Sequence, residues 1–338
     1  MSQLRSFNSI TMMDDLSTND DSTNSEVDVW FDDGTLIIQA GEKSFRVYRG
    51  ILSRASSVFR DMLSLAVTDG DEVIDGCPVV HVSDSAADMS FFIRSLHDTE
   101  CVVHCFLALL DRHLIQWRRF FMPPNSTRPT FAVTAGILRL STKYDVPFLR
   151  RRALHHLSIV YPISLKDWDA SSSRQWLSPR VDDHFLALNL AREFDIAWIR
   201  PMAIYRCMSK PISEIFDVFQ KTHLSPEDRN VCALAIQKLK ASEMICVMTS
   251  VLKSTQCSSW ASDCPISDGY TSIANSDGAD PLAKTDKVLD IFKLCPNCSK
   301  SSRAKHSSER LKQWNAIPQM VECLSWEDLA TMRKAALA

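Results

Sequence analysis

Residues 36–63 read Leu36-Ile37-Ile38-Gln39-Ala40-Gly41-Glu42-Lys43-Ser44-Phe45-Arg46-Val47-Tyr48-Arg49-Gly50-Ile51-Leu52-Ser53-Arg54-Ala55-Ser56-Ser57-Val58-Phe59-Arg60-Asp61-Met62-Leu63. The period of their apolar residues changes partway along. Leu36 to Ala40 and Ser44 to Val47 are short β-rich segments joined by Gly41-Glu42-Lys43, a spacing that predicts a hairpin. Beyond it, Leu52, Ala55, Ser56, Phe59, Met62 and Leu63 recur at intervals of three and four, which predicts one amphipathic helix over 50–65. Strand period followed at once by helix period marks a unit of the α+β class.

Reading outward adds elements on both sides. Upstream, Val27, Val29 and Phe31 alternate with Asp28 and Trp30, the pattern of a strand over 27–31 with one apolar face, and Asp32-Asp33-Gly34 is a turn. Downstream, 66–78 is an acidic, Gly- and Pro-marked loop, Val79 to Val82 a short strand, and Asp84 or Ser85 a cap for a helix through Leu96. From Thr130, the stripe Val133, Ile137, Leu140, Tyr144 predicts a helix that Val146-Pro147 breaks before the next begins at Phe148. The strands 27–31, 36–40, 44–48 and 79–82 are expected in one small sheet. Val29, Phe31, Leu36, Ile38, Phe45, Leu52, Phe59 and Leu140 are expected in its core.

Taken in order, these residues resemble a BTB/POZ domain over about 27–160. The likeness rests on Asp28-Val29, Phe45-Arg46-Val47, Leu52, Ser56, Phe59, Met62 and Leu138-x-Leu140-Ser141-Thr142-Lys143-Tyr144-Asp145-Val146. Tyr48 departs from it, standing where the family usually has a histidine. The chain further resembles the large BTB family of mushroom-forming fungi. There the carrying residues are Lys143 to Pro147, Arg151-Arg152-Ala153-Leu154, Leu157, Tyr161-Pro162, Trp168, and a tail with Cys295-x-x-Cys298, Trp314 and Ser325-Trp326-Glu327-Asp328-Leu329. The resemblance implies a protein–protein interaction domain, often a homodimer pairing through the first helix and the N-terminal strand, with a helical extension.

Local signals predict that extension independently. Ala187, Leu190, Ala191 and Phe194 share a helix face. Ser225-Pro226-Glu227-Asp228 opens a helix with a cap, a proline at the first position and acids where the dipole favours them. Ser325-Trp326-Glu327-Asp328 repeats the device, with Leu324 and Leu329 at the staple positions. The expected organisation is a disordered acidic, polar tail over 1–26, the α+β domain over 27–160, helices over 161–255, a flexible loop over 256–290, and a Cys-x-x-Cys segment with C-terminal helices over 291–338. Residues 101–118 disturb the family spacing. They read as an inserted helix or an unspliced intron, and are expected to be dispensable because insertions between elements are thermodynamically cheap.

Composition excludes several functions. There are only eight glycines, no two closer than the six positions between Gly70 and Gly76, so phosphate-binding and dinucleotide-binding glycine motifs and a nucleophile elbow are absent. A balance of 38 basic against 41 acidic residues gives no electrostatic reason to expect nucleic acid or an anionic membrane. The start of the chain is not that of a signal peptide, and the longest apolar run, Cys105 to Leu110, is far short of a membrane span. Cys207, Cys232 and Cys246, scattered singly in apolar stretches, read as reduced core thiols, so the expected location is intracellular, cytoplasm or nucleus.

The strongest chemical signal is Cys257, Cys264, Cys295 and Cys298, which as four thiolates would suit a structural zinc ion, with His306 as a substitute ligand; the alternative is free thiols on a surface loop. Arg150, Arg151, Arg152, His155 and His156 read as a solvated helix start, and Glu193, Asp195 and His184 as an ordinary amphipathic helix. No catalytic residue, cofactor or small-molecule substrate is expected. The reading is a non-enzymatic module that homo-oligomerises and recruits proteins. An adaptor of a cullin-type ubiquitin ligase would carry a Glu in the helix Ala86 to Leu96, which has none; a transcriptional regulator would carry Cys-Cys-His-His fingers, also absent.

Overall fold

The computed structural model describes residues 29–65, 72–97, 129–171, 180–221, 223–251, 280–292 and 294–338. The fold is mixed α+β and mostly helical. Strands β1 (Leu36–Ala40), β2 (Lys43–Val47), β3 (Val73–Ile74) and β4 (Cys77–Val82) form one small sheet in the order β2-β1-β4-β3. The hairpin β1–β2 pairs Ile38 with Phe45, while β4 runs parallel to β1 with Ile38 beside Val80.

Helices α1 (Arg49–Ala55), α2 (Ser57–Ser64), α3 (Ala86–His97), α4 (Phe131–Lys143) and α5 (Pro147–Val160) pack around this sheet. They are followed by α6 (Leu165–Ser171), α7 (Val181–Glu193), a 3-10 turn (Ala197–Ile199), α8 (Arg200–Met208), α9 (Ile212–Lys221) and α10 (Pro226–Ser250). The chain ends in α11 (Thr285–Leu289), a 3-10 turn (Asp290–Phe292), α12 (Pro296–Met320) and α13 (Trp326–Leu337). One apolar cluster runs from Val29 to Leu329, so the sheet unit and the later helices share a core. Helix α13 returns to pack on α5 and on the 197–199 turn.

Several expectations are corrected. The strand over 27–31 is, in its described part, a single parallel bridge from Trp30 to Arg46, because the Phe31 carbonyl accepts Gly34 N–H at 2.9 Å and the chain turns there. The fourth strand comes instead from the expected loop, as Val73–Ile74. Phe31 is only half-buried; Val29, Leu36, Ile38, Phe45, Leu52, Phe59 and Leu140 are buried as expected. The helix over 50–65 is two helices, because Ser56 leaves helical geometry and its hydroxyl caps α2 by accepting Phe59 N–H at 3.0 Å. The loop over 256–290 is folded in its described part, as α11 and the start of the 3-10 turn. Leu324 stays exposed, so only Leu329 of that staple joins the core.

Two corners repeat fifty positions apart, a relation that periodicity alone does not announce. Tyr144-Asp145-Val146 ends α4 and Phe194-Asp195-Ile196 ends α7, with Asp145 and Asp195 at φ +49° and +54°. Val146 N–H reaches Ser141 O and Ile196 N–H reaches Ala191 O, both at 2.8 Å. Val321-Glu322-Cys323 ends α12 the same way, with Glu322 at φ +55° and Cys323 N–H on Pro318 O at 2.8 Å. These are Schellman ends in which an acid, not a glycine, takes the left-handed position. A glycine is required by contact elsewhere: a Cβ on Gly136 would meet the Asp88 side chain, with Cγ 2.9 Å away, where α3 and α4 cross.

Candidate interaction surface

Four of the residues quoted for the family resemblance, Ser56, Phe59, Lys143 and Tyr144, lie together. The Ser56 hydroxyl donates to the Tyr144 carbonyl, and Phe59 stacks on the Tyr144 ring with centroids 4.4 Å apart. Lys143 Nζ donates to both Asp84 carboxylate oxygens at 2.7 and 2.8 Å, and the Tyr144 hydroxyl donates to Asp84 as well. Burial, then the hydrogen bond to Asp84, pushes the Tyr144 hydroxyl pKa up. This set fixes α2 against the α4–α5 corner. Ser85 takes the capping role, accepting Asp88 N–H at 3.1 Å, and leaves Asp84 for the contact with α4.

On the outer side of the same unit, the N-terminal segment lies along the edge strand β2. Phe31 lies tilted against Tyr48 with centroids 4.9 Å apart and stacks against His97 at 5.3 Å, and the Tyr48 hydroxyl donates to Asp33 at 2.6 Å. The hydrogen bond to Asp33 raises the Tyr48 pKa, whereas burial lowers that of His97, whose Nδ1 faces the Ile93 carbonyl. Trp30, Ile51 and Val58, on this segment, α1 and α2, are 41, 37 and 39% exposed. Each is a large apolar side chain left in water by the fold.

The candidate zinc ligands fare differently. Cys257 and Cys264 lie outside the described residues, as do 101–118. Cys295 stands at the N-cap position of α12 and is half-buried, and Cys298, three positions on, is buried. Among the described residues no group of three or more His, Cys, Asp or Glu side chains is placed to hold a metal. His306 cannot share an ion with Cys298. Eight residues of helix separate them by about 12 Å, beyond the reach of the two side chains, and Nδ1 of His306 is 3.1 Å from the Thr285 hydroxyl.

The other titratable residues are structural in their contacts. His184 is buried with Nδ1 2.9 Å from the Tyr161 hydroxyl, and burial lowers its pKa to about 3; Glu193 and Asp195 are exposed. Of the basic cluster, Arg151 is exposed as expected. His156 is buried, however, and its pKa is lowered to about 4, first by burial and then by His155 and Arg152. Asp228 at the start of α10 is buried and accepts from Arg192 at 3.0 Å and Arg200 at 2.8 Å. The capping pattern placed Asp228 in the first turn, but nothing near it in sequence announced the two arginines. Arg310 on α12, which donates to both carboxylate oxygens of Asp169, was missed for the same reason.

Compared with protein-family models, with curated proteins and with solved structures, the chain matches none. Among the described residues, no helix is long and apolar enough to cross a membrane.

Proposed function

We propose that this chain is a BTB/POZ-type interaction protein, non-enzymatic, that pairs with a second copy through α1, α2 and the N-terminal segment and recruits other proteins. The observation that carries the reading is the exposure of Trp30, Ile51 and Val58 around the region where the resemblance puts the pairing surface. Large apolar side chains in water are stabilised by burial against a partner, at about 25 cal/mol per Å² covered. The contacts of Ser56, Phe59, Lys143 and Tyr144 support the family reading, since these four quoted motif residues pack together. Buried thiols outside disulfides at Cys207, Cys232 and Cys246, all with raised pKa values from burial, agree with an intracellular setting. Sedimentation velocity on the full chain at low micromolar concentration tests the pairing: a dimer at that concentration that Ile51→Glu with Val58→Glu dissociates supports it. A wild-type chain that stays monomeric at all concentrations rejects it.

A further inference from the structure

Helix α10 is 25 residues long and shows two unlike faces. Its inner face, with Cys232, Ala235, Leu239 and Cys246, is buried against α8 and α12. Its outer face, from Asn230 to Thr249, is exposed without a single charged side chain, and Leu234, Ile245 and Met248 on it are 48, 53 and 53% exposed. A surface helix ordinarily turns its charges to solvent. Here the charges sit half-buried on the flanks, each beside an opposite charge: Lys238 donates to the Met320 carbonyl at 2.9 Å and lies 4.0 Å from the Glu322 carboxylate, and Lys240 pairs with Glu243 at 3.2 Å.

That arrangement narrows the occupant. A membrane surface would call for an uncommitted basic rim, and a charged partner for unpaired charges of opposite sign. Among the described residues of this stripe, from Asn230 to Thr249, neither is present. The stripe is instead compatible with itself. Leu234, Ala241 and Met248 recur every seven residues, the interval of a helix-pair seam. A two-fold axis through Ala241 sets antiparallel copies so that Leu234 faces Met248 and Gln237 faces Ile245. The two small Ala241 side chains then meet at the crossing point, where they let the helix axes approach.

We propose that the outer face of α10 is a contact between two copies of this chain, antiparallel and centred on Ala241. The seam from Leu234 to Met248 is about 21 Å long, and one helix face falls short of the roughly 800 Å² per partner of a standard stable interface. The contact is therefore weak and concentration-dependent. It is separate from the α1–α2 surface and does not rest on it.

The test uses full-length chains carrying Ala241→Cys or Asn230→Cys, oxidised gently beside wild type. Ala241→Cys is expected to give a disulfide-linked dimer well above wild type, because the axis brings that position onto its own mate. Asn230→Cys is expected to give no more than wild type, since its mates lie about 33 Å apart along the paired helices. Sedimentation across concentration should show Leu234→Glu with Met248→Glu losing the weak association, whereas Ile51→Glu with Val58→Glu keeps it. All six substituted positions are solvent-exposed, and circular dichroism checks that the variants fold. Equal cross-linking at 230 and 241 would overturn the proposal, as would association unchanged in the α10 pair variant.

Discussion

Phe59 and Arg310 lie at similar depth in the molecule, and opposite chemistry holds them there. Phe59 sits among rings and aliphatic side chains, stacked on Tyr144 and 6.4 Å from Phe92. Arg310 is buried on α12 within a polar stripe: Ser302, His306, Arg310 and Gln313 all face inward. Its guanidinium donates to the Leu282 carbonyl at 2.8 Å and holds both oxygens of Asp169 at 2.9 and 2.5 Å. The Ser242 hydroxyl bonds the Gln313 side chain, and the Tyr205 hydroxyl bonds Asp280 at 2.5 Å. The sheet unit is thus closed by area removed from water, and the α12 side by matched donors and acceptors. Area tolerates a change of shape, whereas a polar set fails once a member is left alone.

The largest effect should come from breaking the apolar side. Phe59→Ala leaves a cavity between Tyr144 and Phe92 and is expected to cost about 3–5 kcal/mol in denaturant unfolding. Phe59→Leu, which keeps most of the volume, should cost far less. On the polar side, Arg310→Met preserves length but strands the Leu282 carbonyl and leaves Asp169 to solvent. Since Asp169 is partly exposed and can rehydrate, a loss of about 2–3 kcal/mol is expected, less than for a fully buried pair. Arg310→Lys should not restore the wild type, because an ammonium cannot span both carboxylate oxygens and the carbonyl together. A cost for Arg310→Met as small as that of a surface change would show the polar set to be incidental.

This contrast explains what could be read in advance. Around Phe59 the burial follows periodicity, so Leu36, Ile38, Phe45, Leu52 and Leu140 were legible as core. Caps were legible too, because Ser225 and Ser325 announce themselves by the acids that follow. Helix α12 has polar residues on its buried face, and no apolar stripe marks which side turns inward. Asp228 and Arg310 find partners 28 to 141 positions away, pairings that local spacing does not encode. The break at Ser56 was missed because apolar spacing runs straight through it. Of the proposed surface, the resemblance indicated the region, while the exposure of Ile51 and Val58 emerges only from packing. The candidate zinc set was legible as cysteines, but no spacing told that Cys298 begins the buried side of α12.

Acid should separate the two sides further. Burial, then Arg310, lowers the His306 pKa to about 4, against about 6.5 in an unfolded chain. A group lowered in the folded state contributes stability above its unfolded value, and that contribution is lost as pH falls from about 6.5 toward 4. Each unit of the gap is worth about 1.4 kcal/mol. His306→Asn should therefore flatten part of the fall in unfolding free energy between pH 6.5 and 4. Phe59→Leu should leave that slope as in wild type, since the rings about it do not titrate there. Parallel slopes for wild type and His306→Asn would mean that His306 charges freely in the folded protein.

The smallest expected effect concerns a metal. If zinc clamped the start of α12, chelation would loosen the same helix that the polar stripe holds, and the stripe would be the lesser tie. Cys298 begins it, buried one turn before Ser302 on the same face, and His306 is too far along the helix to complete a site with Cys295 and Cys298. A structural ion would need both sulfurs at about 2.3 Å from one point together with two further ligands. Protein purified without chelator is expected to contain no stoichiometric zinc, and chelator is expected to leave its melting temperature unchanged. Cys295→Ser should be nearly silent, because serine caps a helix at least as well. One zinc per chain, with a chelator-induced fall in melting temperature that Cys295→Ser reproduces, would place the ion above the polar stripe as the tie that seats α12.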